Sequence, residues 1–143
     1  MLFRSIVLLG AVITAYLPSL LMGVRRRDRA HGLQFQLALE ALQQLERVRA
    51  RVIRGLTIHQ LSMLLRVDAL QLEPVLETLR ELDWIGELDE ELASETARYV
   101  LLADPDTTAL APLLDALLLR REEATGNLWE AGRWSTLTLR QAL

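Results

Sequence analysis

The chain has 143 residues, enough for one modest domain and a further segment. It is 51% hydrophobic with mean hydropathy +0.19 and net charge -3, and it contains no Cys and no Lys. The missing Cys excludes disulfides, thiol nucleophiles and thiolate metal sites. Charge is unevenly distributed: residues 1–54 carry nine Arg against three acids, and residues 55–143 carry seven Arg against sixteen acids. Such asymmetry indicates two different surroundings. The basic part suits anionic lipid head groups, and the acidic part opposes a phosphate backbone.

From Ile6 to Val24 the chain runs nineteen residues without a charge. About 20 mostly apolar residues cross a bilayer as a helix, so residues 1–24 are predicted to be a transmembrane helix. Arg4 precedes the run, and Arg25, Arg26, Arg27 and Arg29 follow it. These four arginines are predicted to sit at the membrane interface and to hold the C-terminal side in the cytoplasm. A cleaved signal peptide would carry its positive charge mainly before the apolar stretch. A buried core helix would be unusually long and uncharged for so small a domain. Gly10 and Thr14, like Ala11 and Ala15, are small residues four apart, the spacing that lets membrane helices pack closely. Pro18 removes a hydrogen bond that is best tolerated against protein. Both features suit further transmembrane helices as neighbours, although an ordinary anchor would also fit.

Residues 25–54 read as a basic juxtamembrane segment leading into an amphipathic helix over 34–54. Its apolar positions are Leu37, Leu42, Leu45, Val48 and Val52, flanked by Phe35 and Leu39, with Gly55 as the stop. Residues 55–103 are predicted to form a winged helix-turn-helix-like domain. Thr57 and Gln60 make a capping-box pattern opening a helix with Leu61, Leu64 and Leu65 inward. Asp68 and Gln71 open the next helix, which buries Leu72, Val75, Leu76, Leu79 and Leu82. Pro74 leaves open whether that helix starts at Ala69 or at Glu73. Residues 84–88 and 98–102 have strand character and form a small β-hairpin around an acidic turn, Asp89 to Glu95. Residues 104–143 form a helical tail. Asp104-Pro105-Asp106-Thr107 is predicted to start a helix carrying Leu110, Leu113, Leu114, Leu117 and Leu118. Trp129 and Trp134 read as packing onto the domain, with contact to the membrane surface as the alternative. The fold class is therefore mainly α: a transmembrane helix, then the winged-helix-like domain and its tail.

The function classes narrow from the same residues. The third helix offers Glu73, Glu77, Arg80, Glu81 and Asp83, and residues 55–103 carry three Arg against ten acids. A DNA reader presents cations and amides to bases and phosphates, so no nucleic-acid partner is expected. A membrane-tethered transcription regulator is the alternative reading. His31 and His59 have no metal-ligand spacing, and no phosphate loop or paired catalytic carboxylate stands out. No enzyme activity, cofactor or metal is expected.

Several segments resemble a known family. Ile6-Val7-Leu8-Leu9-Gly10-Ala11 is similar to the last transmembrane helix of the YihY/BrkB family of bacterial inner-membrane proteins, historically labelled ribonuclease BN-like. His31-Gly32-Leu33-Gln34-Phe35-Gln36, GLTIHQLSMLLRVD, ELDWIGEL and ARYVLLADP resemble the cytoplasmic C-terminal extension of some proteobacterial members. The resemblance implies an integral inner-membrane protein that crosses the bilayer several times before this segment. The chain would then be a C-terminal fragment, with the last transmembrane helix and the extension. Its expected partners are the lipid bilayer, the other transmembrane helices, and a protein that binds the acidic domain. The old nuclease label finds no support in these residues.

Overall fold

The computed structural model describes residues 31–88 and 97–143. The apolar run 6–24, Gly10, Thr14, Arg25, Arg26, Arg27 and Arg29 lie outside the described residues, as does the acidic turn after Leu88. Among the described residues, no helix is long and apolar enough to cross a membrane.

Helix α1, Leu33–Val48, starts at Gly32, whose φ of 76° is left-handed and easy only for glycine. Gln36 N donates to Gly32 O at 2.9 Å, closing the first turn. The helix buries Leu37, Ala38, Ala41, Leu42, Leu45 and Val48, one stripe at helical spacing. It ends six residues short of the Arg54 boundary predicted from sequence. Val52, predicted to extend the stripe, is fully solvent-exposed. The reason lies at Gly55, where φ is 83° and an added Cβ would stand 2.7 Å from Tyr99 O. The chain must leave the helix early to bring residue 55 against that backbone, so Gly55 serves a close approach rather than a helix stop.

The approach allows β1, Leu56–Thr57, a two-residue strand too short for any sequence periodicity to signal. Helix α2, Ile58–Leu65, then opens on a complete capping box. Gln60 N donates to Thr57 Oγ1 at 3.2 Å, and Thr57 N donates to Gln60 Oε1 at 3.0 Å. Leu61 and Leu65 are buried, but Leu64 is exposed, contrary to the predicted inward face. In a two-turn helix the i, i+4 pair faces the core, and Ser62 takes the remaining buried place by donating to Val67 O at 2.7 Å. Arg66 turns the chain in a left-handed conformation.

Helix α3, Ala69–Glu81, is capped by Asp68, whose carboxylate accepts from Leu70 N at 3.0 Å. The start at Ala69 settles the boundary that Pro74 left open. The carbonyl that Pro74 cannot satisfy belongs to Leu70, a residue exposed to water, so the defect costs little there. Leu72, Val75, Leu76 and Leu79 are buried, and Leu82 packs at the edge. Strands β2, Ile85–Leu88, and β3, Arg98–Leu101, follow. The sheet is antiparallel with order β1-β3-β2, pairing Leu56 with Tyr99 and Ile85 with Leu101.

In the tail, the helix predicted from residues 104–107 is instead a turn, with Thr107 N and Thr108 N both donating to Asp104 O. Helix α4, Ala111–Leu117, begins later because Pro112 fits best in the first helical turn. Leu110, Leu113 and Leu114 are buried, while Leu118 is exposed. Helices α5, Gly126–Gly132, and α6, Leu139–Ala142, complete the chain. Trp129 is buried and meets Trp134 edge to face, with centroids 5.4 Å apart at 71°. Leu139 N donates to Thr108 O at 2.8 Å, so the last helix returns to the turn before α4. One core cluster joins α1, α2, α3, the sheet, α4, Trp129 and Leu139.

Arg140 fastens this return. Its guanidinium pairs with Glu46 on α1 and donates from Nε to Asp106 Oδ1 at 3.0 Å. The pairing holds the Asp106 carboxyl below its ordinary range, chiefly through that hydrogen bond. A carboxyl depressed in the folded state stabilises above its unfolded value of about 3.9 and loses that contribution as pH falls through the folded one. Asp106→Asn should therefore reduce the acid-induced fall in Tm between neutral pH and about pH 3, as read by circular dichroism. In the core, Leu72→Ala should lower unfolding free energy by about 2–5 kcal/mol in denaturant titrations, because Leu72 has no exposed surface.

Candidate functional site

Between α3 and the sheet lies an open cleft of ≈ 550 Å³, with Ile58 from α2, Glu73, Glu77 and Arg80 from α3, and Tyr99 from β3 on its walls. Helical spacing sets the cleft's chemistry. Glu73, Glu77 and Arg80 each follow one of Leu72, Leu76 and Leu79, about 100° further round the helix, so burying the leucine stripe leaves the charged flank exposed beside it.

Arg80 is the cation at this face, and it is engaged. Its guanidinium donates to Glu87 Oε1 on β2 at 2.9 Å and lies 4.0 Å from Glu77. The hydrogen bond to Glu87, and then the charge of Glu77, raise its pKa above the ordinary guanidinium value. These are exposed pairs of small energetic worth, but they fix where the positive charge points. Tyr99 stands across from them, partly buried, and its hydroxyl titrates above the ordinary phenol value. Burial is the larger cause and the charge of Glu87 the next. The cleft therefore offers the carboxylate of Glu73, that of Glu77 at the edge of the Arg80 pair, an aromatic wall and one neutralised cation. It suits a cationic or polar-apolar partner and opposes a polyanion.

Among the described residues, no group of three or more His, Asp or Glu is arranged to hold a metal ion. His59 is exposed on α2, and His31 is exposed just before α1. The cleft's carboxylates and Tyr99 come together only through the sheet. Sequence reasoning named the acids of α3 but missed Tyr99, because β3 reaches α3 only once β1 and β2 flank it.

No protein-family model matches the chain. Curated relatives do. The chain is 72% identical over 138 residues to a UPF0761 membrane protein of Albidiferax ferrireducens, covering 96% of this chain and 33% of the relative. It is 54% identical over 142 residues to a UPF0761 membrane protein of Verminephrobacter eiseniae, covering 96% of this chain and 34% of the relative. It is 44% identical over 143 residues to one from Delftia acidovorans, with 96% and 34% covered. The chain thus spans about a third of the length of the curated relatives it matches.

The arrangement around Tyr99 makes a direct test. Glu87→Gln should bring the Tyr99 phenol down toward its ordinary value while leaving the part due to burial, as followed by phenolate absorbance. Tyr16 is the other tyrosine, and a Tyr16→Phe background leaves Tyr99 as the sole phenol followed. An unchanged Tyr99 titration would mean that Glu87 does not face the ring in solution.

Proposed function

We propose that the chain is part of a longer membrane protein of the YihY/BrkB type. Its 55–103 region would be a cytoplasmic winged-helix-like domain that contacts protein, followed by the 104–143 helical tail, with no catalytic role and no cofactor. The membrane assignment is supported by the uncharged run 6–24 and by relatives named membrane proteins. The positive charge of Arg25, Arg26, Arg27 and Arg29 favours the inner membrane, with the domain inside the cell. Gly10 and Thr14 would pack against other transmembrane helices of the same protein.

The winged-helix reading draws support from the order α1, β1, α2, α3, β2, β3 and from a sheet in which β3 lies between β1 and β2. The observation that carries the protein-contact reading is the state of Arg80. Where a DNA reader would extend a cation toward the duplex, Arg80 is bound to Glu87 and flanked by Glu73 and Glu77. Phosphate binding there would break an existing pair and bring like charges together. A cationic segment of a partner protein meets the same face without either cost.

Two measurements check this. Reporter fusions in the intact gene product, placed after Val24 and at the C-terminus, should both report cytoplasm. A periplasmic C-terminus would overturn the orientation. Gel-shift titration of the detergent-solubilised chain on a random duplex at low salt should give no retardation at micromolar protein. Salt-sensitive retardation would favour a membrane-tethered DNA-binding regulator instead.

A further inference from the structure

One surface of the domain contrasts with the rest. Between the end of α1 and Gly55 the sequence reads Arg47-Val48-Arg49-Ala50-Arg51-Val52-Ile53-Arg54. These eight residues hold four of the eleven arginines found after residue 30, and no acid. The other seven arginines share the region with eighteen acids. All four side chains are exposed, and among the described residues none is ion-paired. Backbone turns at Arg49 and Arg51 fix the segment, with Arg49 N donating to Glu46 O at 3.1 Å and Arg51 N to Val48 O at 3.0 Å.

At the tip the chain presents apolar side chains to solvent. Val52 is 102% exposed and Ile53 65% exposed. Exposed apolar side chains scattered singly need no explanation, but Val52 and Ile53 are adjacent and stand between exposed Arg51 and Arg54. Such a pattern fits a bilayer surface: apolar tips enter the boundary between head groups and acyl chains while arginines reach lipid phosphates. We propose that the loop 47–54 is a second membrane contact, docking the domain onto anionic lipid. The proposal rests on the membrane reading above.

Charge complementarity selects this occupant over the alternatives. Anionic head groups attract the loop and repel the acidic remainder, so the surface potential orients the domain with the loop down. A nucleic acid would use the arginines but gain nothing from Val52 and Ile53. Helix α1 spans about 24 Å over its 16 residues. The sequence places one basic cluster, Arg25 to Arg29, before it and this loop after it. Basic residues thus stand on both sides of α1 in the sequence, and both are drawn to the same anionic surface.

The chain lacks Cys, so a single introduced one carries a unique probe. Ala50→Cys, exposed between Arg49 and Arg51, would bear a polarity-sensitive fluorophore in the full chain reconstituted into bilayers. Ala124→Cys, beside Glu122 and Glu123, gives the background. With phosphatidylglycerol present, the probe at residue 50 should shift to the blue and be quenched by brominated lipid; in phosphatidylcholine alone it should do neither. Each arginine near an anionic surface is worth about fivefold in affinity, so Arg49→Glu with Arg51→Glu and Arg54→Glu should remove the response. Val52→Ser should weaken the quenching while the lipid selectivity persists. No response in phosphatidylglycerol, or an equal one at residue 124, overturns the proposal, as does a response to an added oligonucleotide in its place. A chain that fails to float with either bilayer overturns the membrane reading as well. A chain that floats without the residue-50 response overturns the docking alone.

Discussion

Helix α1 supplies the constraint on which the rest of the described chain depends. Its single apolar stripe from Leu37 to Val48 touches α3, α2, β3 and α4, so elements far apart in sequence share one neighbour. The opposite end of the chain is fastened to the same helix through Arg140 and Glu46. Leu37, Leu42 and Leu45 have almost no exposed surface, and removing any of them would leave a cavity bordered by several elements at once. The tail is thereby an integral layer of the core. Trp129 and Leu139 are as deeply buried as the leucines of α3.

Burial of that stripe also decides what the surface can present. Every helix that turns its leucines inward turns its charged residues outward, and on α3 these are mostly acids. The pairing of Arg80 with Glu87 then removes the cation that would otherwise point outward, leaving a face hostile to polyanions. The segment 47–54 is the exception, because α1 ends before its apolar pattern does. The early ending leaves Val52 and Ile53 in solvent and gathers four arginines around them. The two surfaces have opposite chemistry: the acids of α3 and the Arg80–Glu87 pair set one, and the place where α1 stops sets the other.

Much of the fold was legible from residue types and spacing. The Thr57–Gln60 box, the Asp68 cap and the inward stripe of α3 rest on local rules, because side chain and backbone partners lie within four residues of each other. What sequence reasoning misjudged depended on distant partners. Val52 continues a helical pattern, yet Gly55 must reach Tyr99 O, and the close approach overrides the pattern. Leu64 looks as apolar as Leu61, but a two-turn helix has room to bury only one side. The helix predicted from Asp104 yields to a turn, because that turn pairs with the returning segment at Thr138.

By itself, then, the sequence determined the charge asymmetry, the uncharged run 6–24, and the helices whose caps and stripes are local. These follow from composition and from interactions a few residues long. Only the tertiary structure decided that β1 exists, that Tyr99 stands beside Glu87 and Arg80, and that Arg140 joins Glu46 to Asp106. Each of those joins residues more than ten positions apart, apart from the Arg80–Glu87 pair, which needs β2 to turn back past the end of α3. No periodicity encodes such contacts, since they form only when burial of the α1 stripe brings the separate elements into one core.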